Sequence, residues 1–232
     1  MAGKYDAVIF DVLTGLIDSW TLWNAVAGDP ETGTRWRHHY LQLTYRVGDY
    51  QPYEELVVQA AVECDLGEAI GLSLIERWDE LKAWPDAKRV LSALKQHAPL
   101  AVVTNCSEHL GERAVGAVGV AFDVVVIAER AGAYKPDPRP YKLAIDELGV
   151  APEKALFVAG SVFDVNGAGA MGMDVYWHNR ARLPLPDHAP ALIAEQPSLE
   201  PLVGIISGRS DLGRVQPAIF WSVSEKSDGG TR

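Results

Sequence analysis

The chain has 232 residues, 48% hydrophobic and 22% charged, with 31 acidic against 21 basic side chains and a net charge of -10. That mixture suits one sizeable folded core and excludes wholesale disorder. An acidic chain with no basic stripe also argues against nucleic acid or an anionic membrane as partner, and leaves local cations to hold any anionic substrate.

In chain order, Ala7-Val8-Ile9-Phe10 is a short apolar run that ends at Asp11, with no signal-peptide apolar segment before it. From Leu16 to Trp84 the pattern reads as helix after helix. Trp36, Tyr40, Leu43 and Val47 recur at helical spacing until Gly48 stops them. Pro52 is placed to open the next helix at its first position, with Leu56, Val57, Ala60 and Ala61 on its apolar face. Ile70, Leu74, Trp78 and Leu81 give a third helical face. The alternation of strand and helix resumes at Pro85. Val90, Leu91 and Leu94 form one helical face, and Tyr141, Ala144, Ile145 and Leu148 another, closed by Gly149. Apolar runs recur at 100–103, 124–127, 156–159 and 175–177, which suits a parallel sheet covered on both faces. The reading is an α/β protein: a core of residues 1–15 and 85–206, a helical cap of residues 16–84, and a C-terminal extension of residues 207–232. Within that extension Ala218-Ile219-Phe220-Trp221 is apolar enough to pack, and the last residues read as a loose tail. Cys64 and Cys106 lack metal-ligand spacing and are expected as reduced thiols of a cytoplasmic protein. No apolar run is long enough to span a bilayer.

Four chemically active segments stand at the ends of predicted strands, where open parallel sheets bind their ligands. Asp11 ends the first and Thr104-Asn105 the second. Lys135 follows the third, and Gly160-Ser161-Val162-Phe163-Asp164 follows the fourth. A carboxylate nucleophile, a hydroxyl–amide pair, a lysine and a second carboxylate therefore converge on one crevice. A lysine beside Asp11 would keep it ionised, as a nucleophile must be.

This ordered set resembles the haloacid dehalogenase superfamily over roughly residues 5–206, and within it the L-2-haloacid dehalogenase branch. The superfamily's phosphatases carry an Asp two positions after the nucleophile, where this chain has Leu13, and another where it has Ser161. Without those acids a Mg²⁺ site is poor, so no metal and no cofactor are expected. Trp36-Arg37, followed by Leu41 and Thr44, resembles the cap helix that supplies the dehalogenase arginine, and Tyr141 falls where that branch keeps a tyrosine. The resemblance implies a Rossmann-like core with an inserted helical cap, a small carboxylic acid as substrate, and a homodimer. It implies that Asp11 attacks the carbon alpha to the substrate carboxylate, that water positioned by Asp164 hydrolyses the resulting ester, and that Lys135 stabilises the charges. Thr104 would hold the substrate carboxylate, Arg37 and Asn105 would cradle the leaving halide, and Tyr141 would help position Lys135.

The chain departs from the branch at three places. It reads Thr14-Gly15 where the family usually reads Gly-Thr, Ala159 where the branch keeps a serine, and Ser161 where it keeps an asparagine. Thr14 and Ser161 stay among the expected substrate-binding residues, and the leaving group is left open. The alternative is an L-azetidine-2-carboxylate hydrolase, which breaks a strained C–N bond on the same scaffold and needs a partner for its amine from Asp18, Asn24 or a tyrosine. A Mg²⁺-dependent phosphatase and a non-catalytic binding protein are the remaining readings. Trp20 and Trp23 are expected chiefly as core, His38 and His39 as a solvated face.

Overall fold

Strands this short and this apolar need neighbours on both sides. The computed structural model, which describes residues 3–185 and 189–209, pairs them into a single parallel sheet. The strands are β1 (Ala7–Phe10), β2 (Leu100–Thr104), β3 (Val124–Ile127), β4 (Ala155–Ala159), β5 (Asp174–His178) and β6 (Ala194–Gln196). Their order across the sheet is β3-β2-β1-β4-β5-β6. Every residue of β1, β2 and β4 is buried, as the unbroken apolar runs require. Phe10 pairs with Val102 on one side and Val158 on the other. The Asp11 N–H continues the ladder to Val158 O at 3.0 Å, so the carboxylate that follows β1 is fixed by main-chain bonds. Chain direction across the sheet reverses its winding between β1 and β4. That switch point opens a crevice at the strands' carboxyl ends.

Between β1 and β2 the chain makes α1 (Ser19–Ala27), α2 (Pro30–Arg46), α3 (Tyr53–Glu63), α4 (Glu68–Glu76) and then α5 (Ala87–Leu94). Asp18 caps α1 and Asp29 caps α2, where Pro30 fills a position whose N–H needs no partner. Pro52 is the N-cap of α3 rather than its first helical residue. The third helical face ends earlier than its spacing suggests: α4 stops at Glu76, and Trp78–Glu80 is a 3-10 turn that places Trp78 in the core. The insertion has its own aromatic interior. Trp23, Trp36, Tyr40, Tyr53 and Trp78 stand in a chain of ring contacts 4.5 to 5.7 Å apart. Its two connections to the sheet domain run side by side, with Ile17 bridged to Ala83 and Trp84 N–H bonded to Leu16 O at 2.9 Å.

The remaining helices are α6 (Glu108–Val118), the short α7 (Ala128–Ala131), α8 (Pro138–Leu148), α9 (Val162–Ala170) and α10 (Pro201–Ile206). Gly149 ends α8 in the left-handed conformation, with φ of 66°. The three-residue edge strand β6 and the short α10 have no strong periodic signature, and the sequence pattern alone does not predict them. The apolar stretch 218–221 lies outside the described residues.

Candidate active site

Three strand ends and one loop build the site. Asp11 follows β1, Ser161 and Asp164 open α9 after β4, Asn105 follows β2, and Lys135 lies between α7 and α8. Ser161 accepts the Asp164 N–H at 3.3 Å as the N-cap of α9, which turns the Asp164 side chain toward β1. Asn105 does not reach for a ligand. Its Oδ1 accepts the Lys135 N–H at 2.7 Å, and its Nδ2 donates to Lys135 O at 2.9 Å, so it clamps the lysine backbone. The Lys135 ammonium then donates to Asp11 Oδ1 at 2.8 Å and lies 2.9 Å from Asp164 Oδ1. All three side chains are buried.

The two carboxylates are held differently. Asp11 Oδ2 accepts from Thr14 Oγ1 at 2.6 Å, Thr14 N at 3.0 Å and Gly15 N at 2.9 Å. Burial pushes the Asp11 carboxyl up, but the Lys135 charge and these donors outweigh it and hold it below its ordinary value. Asp164 accepts from Tyr141 OH at 3.1 Å and Ser161 Oγ at 3.0 Å. Burial and the neighbouring Asp11 charge lift its carboxyl above the ordinary value despite Lys135. The pair is thereby split into an ionised group and a proton-accepting one. The reversed Thr14-Gly15 order therefore still delivers a hydroxyl and two amide donors to Asp11. Gly160 makes this approach feasible: a Cβ there would lie 2.3 Å from Thr14 Oγ1 and 2.6 Å from Asp11 Oδ2.

The Thr14–Gly15 loop is itself fastened from behind. Trp84 Nε1 donates to Thr14 O at 3.0 Å, and His178 Nδ1 donates to Gly15 O at 2.8 Å. His178 Nε2 accepts from Arg180 Nε at 3.2 Å, and Arg180 reaches both Asp86 oxygens at 2.7 and 2.9 Å. Burial holds His178 below the usual imidazole value, and the Arg180 charge adds to that, so the neutral tautomer fits this relay.

A cavity of about 410 Å³ opens over Asp11, Lys135 and Asp164. Arg37 enters it from α2, buried, with its guanidinium 3.9 Å above the Trp20 ring and Nη1 without a hydrogen-bond partner among the described residues. Thr14, Ser161 and Asn105 also line it. Tyr141 sits behind it, bonded to Asp164. Two expected ligands of the substrate are elsewhere. Thr104 is at the end of β2 with its hydroxyl buried and without a partner among the described residues, outside the cavity lining. Asn24 packs between α1 and α2, where a Cβ on Gly33 would stand 2.4 Å from its Oδ1, and does not line the cavity. Asp18 is occupied in capping α1.

Arg37 lines the cavity as the resemblance implies and Leu41 lies beside it, whereas Tyr45 and Phe163 line it without any role assigned from the sequence. Arg37, Leu41 and Tyr45 recur every four residues on α2, a second face beside the aromatic one that the spacing first picks out. Trp20 belongs to the cavity wall under Arg37 rather than to the core. His38 is exposed, as its solvated face requires, yet stands at the cavity rim. Phe163 meets Tyr45 at a ring separation of 4.3 Å across the junction of α2 and α9.

A divalent cation fits this donor set poorly. Lys135 Nζ already lies between the two carboxylates, Leu13 lines the cavity where an acidic ligand would stand, and among the described residues no three His, Cys, Asp or Glu side chains converge. Among the described residues no helix is long and apolar enough to cross a membrane.

Comparison with known proteins agrees with this geometry. A family model for haloacid dehalogenase-like hydrolases matches residues 5–172. Haloacetate dehalogenase H-2 of Moraxella sp. (strain B) is 30% identical over 76% of this chain and 87% of its own length. (S)-2-haloacid dehalogenase 1 of Pseudomonas sp. (strain CBS-3) is 31% identical over 77% of this chain and 86% of its own. A solved dehalogenase with an intermediate complex superposes with a TM-score of 0.79 at 25% identity, covering 89% of this chain and 99% of that one. The chain belongs to the haloacid dehalogenase-like hydrolases.

Proposed function

We propose that the protein is a metal-independent hydrolase of the L-2-haloacid dehalogenase type, displacing a leaving group from the carbon alpha to a carboxylate. The observation that carries the reading is the asymmetric hold on Asp11. Among the described residues Lys135 is the hydrogen-bond donor to Oδ1, while Thr14 and Gly15 donate to Oδ2, in a cavity where a buried guanidinium nitrogen of Arg37 has no partner among those residues. Dehalogenase relatives of both haloacetate and (S)-2-haloacid type support it.

The substrate carboxylate or the departing halide pairs with Arg37. Asp11 Oδ1 attacks the alpha carbon, the carbon–halogen bond breaks, and halide leaves with the bonding electrons. The product of that step is an ester of Asp11 whose carbonyl oxygen is Oδ2. Water then adds to Asp11 Cγ, giving up a proton to Asp164. The negative charge that develops on Oδ2 falls on the Thr14 hydroxyl, the Thr14 N–H and the Gly15 N–H, three preorganised donors. Collapse expels the 2-hydroxy acid with the original Asp11 oxygen, which takes the proton back from Asp164, and Asp11 loses the remaining water proton to solvent to become a carboxylate again. The helical insertion acts as a cap that excludes water from the displacement and strengthens the carboxylate nucleophile.

Ring opening of L-azetidine-2-carboxylate is less favoured. Its amine needs a partner: Asp18 and Asn24 lie outside the cavity lining, which leaves only the Tyr40 and Tyr45 hydroxyls among the expected partners, whereas halide departs without a proton. The deciding experiment is halide release from L-2-chloropropionate in excess EDTA, with Asp11→Asn as control. Release that requires Asp11 and survives EDTA supports the reading. Absence of release, with amino-acid product from the azetidine, would transfer the mechanism to C–N cleavage.

A further inference from the structure

The cavity is larger and more apolar than a short haloacid uses. It measures about 410 Å³. At ~30 Å³ per displaced water, 2-chloropropionate occupies the space of three or four waters, roughly 100 Å³. The remainder would hold on the order of ten waters against a wall that gives them little to bind. The charged side chains beneath are already engaged with one another: Asp11 and Asp164 with Lys135, Thr14, Tyr141 and Ser161. Among the described lining residues the buried polar atoms without a partner are Arg37 Nη1 and the Tyr40 hydroxyl. One anchor for an anion and one hydroxyl are thus set in a chamber whose apolar wall is made by Leu13, Trp20, Leu41, Tyr45, Val162 and Phe163, with the exposed His38 and Gln42 also lining it.

That wall has a direction. Asp11, at the end of β1, and Lys135, on the loop between α7 and α8, are both buried. Tyr45 from α2 and Phe163 from α9 meet at 4.3 Å, and Phe163 keeps 38% of its surface exposed. Leu183 and Pro184, from the segment after β5, also line the cavity. An exposed phenylalanine beside a tyrosine, facing a cavity, is an unfilled apolar contact.

Resting on the proposed displacement at Asp11, we infer that the preferred substrate is a 2-substituted carboxylic acid whose third carbon carries an aromatic ring or an apolar arm of similar size. The carboxylate pairs with Arg37, the alpha carbon lies over Asp11, and the arm packs against Tyr45 and Phe163, which set the specificity. Pockets that take drug-sized ligands share this composition, apolar walls with a few placed polar groups, and start near ~300 Å³.

The test compares halide release from L-2-chloro-3-phenylpropionate and L-2-chloropropionate, alongside calorimetric binding of the unreactive acids 3-phenylpropionate and propionate. Burial of a phenyl group predicts a kcat/KM for the phenyl acid roughly 10- to 100-fold above that for the methyl acid, and a matching gain in binding. Phe163→Ala and Tyr45→Ala should each lower the phenyl-to-methyl ratio several-fold; Phe163 is half-exposed, so its variant folds. Equal or better turnover of the methyl acid, with 3-phenylpropionate binding no tighter than propionate, overturns the inference and leaves the dehalogenase reading standing. Tight 3-phenylpropionate binding without halide from either substrate supports the arm's chemistry and overturns the leaving group instead.

Discussion

Replacing Lys135 with methionine keeps the length of the side chain and removes the charge between two buried carboxylates. The ammonium lies 2.8 Å from Asp11 and 2.9 Å from Asp164. Without it, two like charges share one buried site, and one carboxyl must take a proton when the chain folds. A carboxyl that is protonated in the folded state at pH 7 but ionises near pH ~3.9 when unfolded opposes folding by about 4 kcal/mol, at ~1.4 kcal/mol per pH unit. This agrees with the ~3–5 kcal/mol expected when one partner of a buried pair is lost. The sign follows from proton binding. In the variant the folded carboxyl has a raised value and binds the extra proton, so its stability relative to wild type falls as pH rises. Wild-type Asp11 is the opposite case, depressed below its ordinary value. Its contribution is present above the unfolded value and is lost as pH falls through the folded one. Urea denaturation of both proteins should therefore show a deficit of about 4 kcal/mol at pH 7 that shrinks to about 1.5 kcal/mol near pH 5. A deficit of the same size at both pH values would mean a packing defect and refute the electrostatic account, as would no deficit at all.

Two further outcomes follow from the site. Arg37→Met removes the unpaired guanidinium, so binding of a carboxylate inhibitor should weaken about 100-fold, the scale of a lost buried charge partner, and Arg37→Lys should recover little because an ammonium lacks the planar stack on Trp20. Unchanged inhibitor affinity in calorimetry would remove Arg37 from the binding site. His178→Phe frees the Gly15 carbonyl, which should lower kcat by ~10-fold or more with KM little changed, while His178→Asn, which can still donate to that carbonyl, recovers part of the loss. Equal kcat in the two variants would show that His178 only fills space.

The parts of this molecule written in local pattern were legible in the sequence. The unbroken apolar runs of β1, β2 and β4 state their burial, and the helices between 16 and 84 show in the spacing of Trp36, Tyr40, Leu56 and Leu74. Residues at strand ends, Asp11, Asn105 and Asp164, could be placed because a parallel sheet gathers such ends at one edge. What each side chain does once there could not be read in the same way. Asn105 looks like a ligand in sequence, but its partner is the backbone of Lys135, thirty residues away. Thr104 and Asn24 have ligand chemistry, yet the strand pleat and the α1–α2 packing direct them elsewhere. Arg37 and Leu41 on the second face of α2 are marked by the family resemblance rather than by periodicity, which follows the stronger aromatic face, and the contact of Tyr45 with Phe163 joins segments too distant for any periodicity to connect. The fastening of Gly15 by His178 depends likewise on β5 returning beside β4.

The central claim is that Asp11 forms the covalent ester, and single-turnover reaction in ¹⁸O-labelled water with excess enzyme tests it most directly. The account predicts that the label enters the Asp11 carboxylate, found by mass spectrometry of its peptide, while the first 2-hydroxy acid released carries unlabelled oxygen. Label in that first product, with none in Asp11, would mean that water attacks the substrate itself and would contradict the mechanism.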